Sequence, residues 1–255
     1  MGSINDDIRL ASTGGAEELR RLVHTTHTGV LSAVLLNRNL TEELAVIIAR
    51  RKNISSDLLD TLSHDRRWKT SYPLKLALCK NPGTPMKAAL TTLKELRIFD
   101  LADLSRNHFI SVTLRKKAEA VVVEQLPTLP LGIKKNLARR VAGEILLRLL
   151  QEEDSELLLN CLNSPSLTEG DLFKAINSPH AKPRLIELIL AHHKWSYRYD
   201  LKYTLIRNNL TPLAHITGIL PDIKTNDLKL LYKDPKVPRS TKPFIHSELY
   251  SRREV

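Results

Sequence analysis

Two tryptophans stand among cations, each followed four residues later by a tyrosine. Trp68 lies in Asp65-Arg66-Arg67-Trp68-Lys69 ahead of Tyr72, and Trp195 lies in His192-His193-Lys194-Trp195 ahead of Arg198 and Tyr199. An indole beside Arg and Lys is suited to stack a base or ribose while the cations hold phosphates. That chemistry makes Arg66, Arg67, Trp68, Lys69, Lys194, Trp195 and Arg198 candidate binding residues. The same pattern also suits packing, with the Trp wedged between successive helices and the Tyr closing one hydrophobic corner. Its occurrence twice favours the wedge, because a scaffold residue must recur and a binding residue need not.

Asp100 and Asp227 also recur, each directly before a Leu. A lone carboxylate beside a basic groove could support departure of a cationic base, as in a HEAT-like alkylpurine DNA glycosylase. The alternative is a first-turn Asp favoured by the helix dipole. Basic runs at Arg50-Arg51-Lys52, Arg115-Lys116-Lys117, Lys134-Lys135 with Arg139-Arg140, and Lys182 with Arg184 could align into a stripe that tracks an anionic backbone, or could be solvated outer faces. Lys134, Lys135, Arg139 and Arg140 have few acidic neighbours in sequence and form the preferred single patch.

Other chemistry is weakly signalled. His24 and His27 are three apart with no third ligand nearby, and Cys79 and Cys161 are 82 residues apart without C-x-x-C spacing, so neither a zinc site nor a disulfide framework is expected. No H-E-x-x-H, G-x-S-x-G, P-loop or dinucleotide fingerprint occurs. No cofactor and no catalytic residue are assigned.

What must position these residues is a repeated pattern. Shifted by 127 residues without a gap, Leu40-Thr41-Glu42 falls on Leu167-Thr168-Glu169, Trp68 on Trp195, Tyr72 on Tyr199, Leu78 on Leu205, Asn81 on Asn208, Thr84-Pro85 on Thr211-Pro212 and Asp100-Leu101 on Asp227-Leu228. Helix starts at 41, 55, 85 and 111 are spaced 14, 30 and 26, and so are those at 168, 182, 212 and 238. Thr41, Ser55, Thr84, Thr168 and Thr211 are expected to cap first-turn amides. Apolar residues recur at helical spacing, as in Leu44, Ile47 and Ile48, while strand-like alternation is absent. The spacing predicts short helices throughout, including one over 131–150 and one near 16–36 broken around Thr25–Gly29.

Helices this short cannot each bury an apolar face alone and must stack on neighbours, which is the logic of an α-solenoid. The pattern Asn-Pro-x-Thr-Pro before a short leucine-rich helix, with Arg-Trp or Lys-Trp ahead of an aromatic-start helix, resembles the bacterial leucine-rich-repeat-variant and HEAT-like α-solenoids over about residues 16–250. Some leucine-rich-repeat-variant proteins carry an iron–sulfur cluster on a Cys-rich segment. This chain has no such segment, so that property does not transfer.

Composition sets the remaining bounds. The 255 residues are 42% apolar and 5% aromatic, with nine glycines and a formal charge of +11, which suits a helical globular protein and favours acidic partners. No apolar run approaches the roughly 20 residues of a membrane span, and Met1 to Asp7 lacks the features of a signal peptide, pointing to the cytoplasm. The expected architecture is all-α, a curved right-handed-type solenoid of two tandem 127-residue copies. Its parts are a flexible tail at 1–15, a first copy at 16–142 and a second at 143–255. The expected role is a non-catalytic scaffold for a protein or peptide. The alternatives are a nucleic-acid-binding solenoid and, further off, a base-excising glycosylase.

Overall fold

The computed structural model describes residues 4–253, and among them the regular structure is entirely helical. The chain divides into two compact units, the first ending at Gln125 and the second beginning at Leu126, rather than at the expected boundary after residue 142. No helix among the described residues is long and apolar enough to cross a membrane.

The first unit holds α1 (Ile4–Thr13), α2 (Ala16–Leu22), α3 (Thr28–Leu36), α4 (Glu42–Arg50), α5 (Ser56–His64), α6 (Tyr72–Lys80), α7 (Met86–Leu93), α8 (Ile98–Ser105) and α9 (Val112–Gln125). The second holds α10 (Leu131–Ala138), α11 (Gly143–Leu149), α12 (Ser155–Leu162), α13 (Glu169–Ile176), α14 (Pro183–Ala191), α15 (Tyr199–Ile206), α16 (Leu213–Ile219), α17 (Thr225–Lys233) and α18 (Lys242–Ser251). Where a flexible tail is expected, residues 4–13 form α1, which packs on α3 and buries Ala11 completely; residues 1–3 lie outside the described part. The expected helix over 131–150 is two, because Gly143 adopts a left-handed φ of 59° that a helix interior does not allow.

Alternate helices pack together. In the first unit α1 lies on α3, α3 on α5, α4 on α6 and α6 on α8; in the second α10 lies on α12, α12 on α14, α11 on α13 and α13 on α15. These helices bury apolar residues against the helix two places along the chain, as in a stacked array, while α8 on α9 and α17 on α18 pack as sequential neighbours. Leu78 and Leu205 are both buried, at 3% and 1% exposure, within this interior.

Polar side chains in the turns finish the helix ends. Thr41 and Ser71 accept from the amides of Leu44 and Leu74, and Thr168 forms a full capping box with Asp171. Thr84 and Thr211 do not cap the helix that follows. Each instead donates its hydroxyl backward at 2.7 Å, to the carbonyls of Leu78 and Leu205, and the N-cap positions fall on Pro85 and Pro212. Ser55 occupies an N-cap position without a side-chain bond.

A second set of turn residues reaches between helices. The last carbonyls of a helix have no partner of their own, and Asn side chains supply one. Asn37 donates to Ala11 and Gly14 at the end of α1, Asn81 donates to Ala49 and Arg51 at the end of α4, and Asn208 donates to Ile176 at the end of α13. Arg51 does the same for the carbonyls of Val23 and Thr25, and Arg252 for those of Leu220, Pro221 and Ile223.

Candidate binding groove

The residues singled out in the sequence divide into those tied into the fold and those left in solvent. Trp195 is 3% exposed, donates its indole N–H to the Leu162 carbonyl at 2.9 Å, and carries Lys194 4.0 Å above its ring. Trp68 is half-buried against the core of the first unit, with Arg67 at 5.3 Å from its ring. Arg67 itself is a brace: it donates to the carbonyls of Leu35 and Asn37 and pairs with Asp65 at 2.6 Å, which holds the Asp65 carboxyl below its usual range. The Trp195 ring thus closes the end of α12, and the Trp68 ring packs on the core of the first unit. Arg66, Lys69 and Arg198 are exposed.

The preferred basic patch is not free of acid. Lys134 is buried and bonded to Glu152 at 2.7 Å, and Lys135 contacts Asp154 at 3.3 Å and Glu156 at 2.5 Å. These contacts raise the Lys135 pKa, chiefly through the bond to Glu156. Carboxylates distant in sequence reach the patch because α10 packs on α12. Arg139 is exposed and donates to Asn160 at 3.2 Å, and Arg140 is exposed beside it.

Asp100 and Asp227 have equivalent structural partners. The Tyr72 hydroxyl donates to Asp100 and accepts from the Arg97 amide at 3.1 Å; the Tyr199 hydroxyl donates to Asp227 and accepts from the Lys224 amide at 3.1 Å. Burial, then the neighbouring carboxylate, pushes both phenol pKa values up. His27 caps α3, its Nδ1 accepting from Val30 at 3.4 Å. Among the described residues no group of three His, Cys, Asp or Glu could hold a metal. Burial drives both thiols up to about 12, leaving Cys79 and Cys161 as inert core residues.

In one groove cations converge on apolar residues without ion-pair partners. It encloses about 330 Å³ in the first unit, between the face of α6 and the turns after α4, α6 and α8. Pro73, Leu76 and Ala77 form an apolar floor, and Phe109, 71% exposed, stands at one side under the Lys52 ammonium at 4.4 Å. Arg50, Lys52 and Lys80 rim it, and its lining includes no carboxylate. None of these cations forms an ion pair among the described residues, whereas Lys75 on the same helix is bound to Glu95. In the sequence only Arg50 and Lys52 stand out, as part of a basic run; Lys80 and Phe109 lie far from that run and carry no signal that joins them to it.

The corresponding turns of the second unit line a depression of about 640 Å³ with a different chemistry. At a shift of 127, Arg50 becomes Asn177, Lys52 becomes Pro179, Phe109 becomes Lys236, and Lys80 becomes Arg207, which is bound to Asp234 at 2.8 Å. A wider depression of about 970 Å³ between α7 and α9 is lined by Lys94, Lys116 and Lys117, with Lys116 tied to Glu119. Comparison of the chain with protein-family models, curated proteins and solved structures found no match.

Proposed function

We propose that this protein is a non-catalytic binding scaffold for a protein or peptide, built on a HEAT-like or leucine-rich-repeat-variant solenoid of two tandem 127-residue copies. The duplication draws support from the pairs of side-chain bonds that recur at one offset, Tyr72–Asp100 with Tyr199–Asp227 and Thr84–Leu78 with Thr211–Leu205. The observation that carries the binding role is the departure from that repetition. Some residues that hold helices together recur, as Tyr72 with Tyr199 and Thr84 with Thr211 do, while Arg50, Lys52, Lys80 and Phe109 surround an apolar floor in one unit only, without carboxylate partners. A residue kept for packing has reason to recur; a site for one partner does not.

A nucleic-acid reading has less support. The Trp195 ring is buried, Arg67 is used on carbonyls, and Lys134 and Lys135 already hold carboxylates. The glycosylase reading needs an available carboxylate, and Asp100 and Asp227 each accept a tyrosine hydroxyl.

The test is selection of a random peptide library on the full chain, with recovered peptides measured by fluorescence anisotropy against wild type, Leu76→Asp and Phe109→Ser. Saturable binders weakened at least about tenfold by both substitutions are expected, a loss of about 1.4 kcal/mol. Recovery of no binders, or of binders indifferent to both substitutions, overturns the reading. Circular dichroism checks the fold, and Phe109, being exposed, provides the variant least able to disturb it.

A further inference from the structure

We infer that the groove beside α6 takes an acidic, extended peptide segment with a single large apolar side chain, Phe or Leu, flanked by Asp or Glu. The inference rests on the peptide-binding reading and adds the chemistry of the occupant. The apolar anchor sits on Pro73, Leu76 and Ala77 against Phe109, and the flanking carboxylates meet Arg50, Lys52 and Lys80.

Charge complementarity selects this occupant. Elsewhere four lysines that reach another segment meet a carboxylate: Lys75 meets Glu95, Lys134 meets Glu152, Lys182 meets Glu153 and Lys202 meets Asp222, while Arg51 and Arg67 reach carbonyls instead. At the groove three cations converge with no such counter-charge, so the partner supplies it. Concentrated positive charge beside low-dielectric walls attracts an anionic ligand and disfavours a cationic one. The floor sets the second requirement, since a wholly polar acidic chain leaves Leu76 and Ala77 without an apolar contact.

The aromatic groups favour a peptide over stacked bases. One face of Phe109 is occupied by Lys52, and Arg97 stands 4.5 Å from the ring of Tyr72, whose hydroxyl is already committed. The Asn81 amide is committed too, as is the Asn107 side-chain oxygen. Asn81 donates to Ala49 and Arg51 and accepts from Gly83, and the Asn107 carbonyl accepts from Phe109. An apolar floor with separated cations serves a side-chain anchor and its carboxylates.

The experiment uses the full chain and four labelled probes in anisotropy titrations at low salt: the peptide Asp-Glu-Asp-Phe-Glu-Asp, the same peptide with Phe replaced by Ser, the same peptide with every acid replaced by its amide, and an eight-nucleotide oligo-dT. The acidic Phe peptide is expected to bind saturably, the Ser and amide peptides at least about tenfold more weakly. Lys80→Glu and the double variant Arg50→Glu/Lys52→Glu should each weaken the acidic Phe peptide by about tenfold or more. Arg66→Glu, an exposed cation elsewhere in the same unit, should change it less than about threefold, and added salt should weaken it by screening.

Equal binding of the acidic and amide peptides, both lost in Phe109→Ser, overturns the acidic occupant and leaves the peptide-binding groove standing. No binding of any peptide overturns both. Tighter binding of oligo-dT, lost in the same groove variants, replaces the peptide with a single-stranded nucleic acid. A loss caused equally by Arg66→Glu reduces the effect to net charge and overturns the site.

Discussion

The indole of Trp195 donates to the Leu162 carbonyl at 2.9 Å, closing the end of α12 with a tryptophan. At the position 127 residues earlier, the Leu35 carbonyl is taken by the guanidinium of Arg67, and the Trp68 indole nitrogen is buried without a partner. The two sites solve one problem, the orphan carbonyl at a helix end, with different donors.

Replacement by phenylalanine separates them. Trp195→Phe removes the donor and leaves the Leu162 carbonyl unsatisfied, for an expected loss of about 1–3 kcal/mol. Trp68→Phe removes an N–H that has no partner, and its cost should stay below about 1 kcal/mol by the same reasoning. Urea denaturation followed by circular dichroism measures both, and equal losses contradict the assignment.

The asparagine braces make a graded prediction. Asn81→Ala strands the carbonyls of both Ala49 and Arg51, whereas Asn208→Ala strands that of Ile176. The Ala49 bond is buried and those to Arg51 and Ile176 are partly buried, and a buried carbonyl left without a donor costs about 1–3 kcal/mol. The Asn81 variant should therefore be the less stable of the two, and a reversed order in thermal or urea unfolding is the adverse result.

Leu78→Ala and Leu205→Ala should each cost about 2–5 kcal/mol, because both side chains are buried between stacked helices. Arg66→Ala, at an exposed site, should shift stability by less than about 0.5 kcal/mol. A loss below about 1 kcal/mol at either leucine contradicts the packing described.

Acid should weaken the second unit through His192. Burial, then the neighbouring His193 and Lys194, lower its pKa, and Nδ1 accepts from the Lys194 amide at 3.2 Å, so the neutral ring donates from Nε2 to Asn163. Above the ordinary imidazole value of about 6.5 the ring is neutral in both states. As the pH falls below it, the unfolded chain binds the proton first, and stability declines until the folded ring titrates as well. Urea midpoints taken at pH 8 and pH 5.5 should fall further for wild type than for His192→Gln.

Helix positions were legible because capping and apolar spacing are local. Thr41 and Thr168 cap as their sequence context implies, and the matched leucines are buried. The turn near Gly143 was not legible, since its leucine-rich surroundings continue a helical stripe and only the left-handed backbone breaks it. Thr84 and Thr211 look like caps, yet their hydroxyls turn back to a carbonyl that a sequence cannot place. The candidate cations were the least legible. Lys134 and Lys135 are compensated by residues 152–156 across a helix pair, whereas the uncompensated rim cations of the groove come from two separate helix ends, those of α4 and α6.

The braces also bear on how the chain reaches this state. Asn37 to Ala11 spans 26 residues, Asn81 to Ala49 and Asn208 to Ile176 each span 32, and Trp195 to Leu162 spans 33. Each closes a loop one helix pair long, so the entropy of closure is modest and nearly the same at every step. Ties of such short range favour folding that begins at a helix pair and spreads to its neighbours, since local contacts are reached sooner than distant ones.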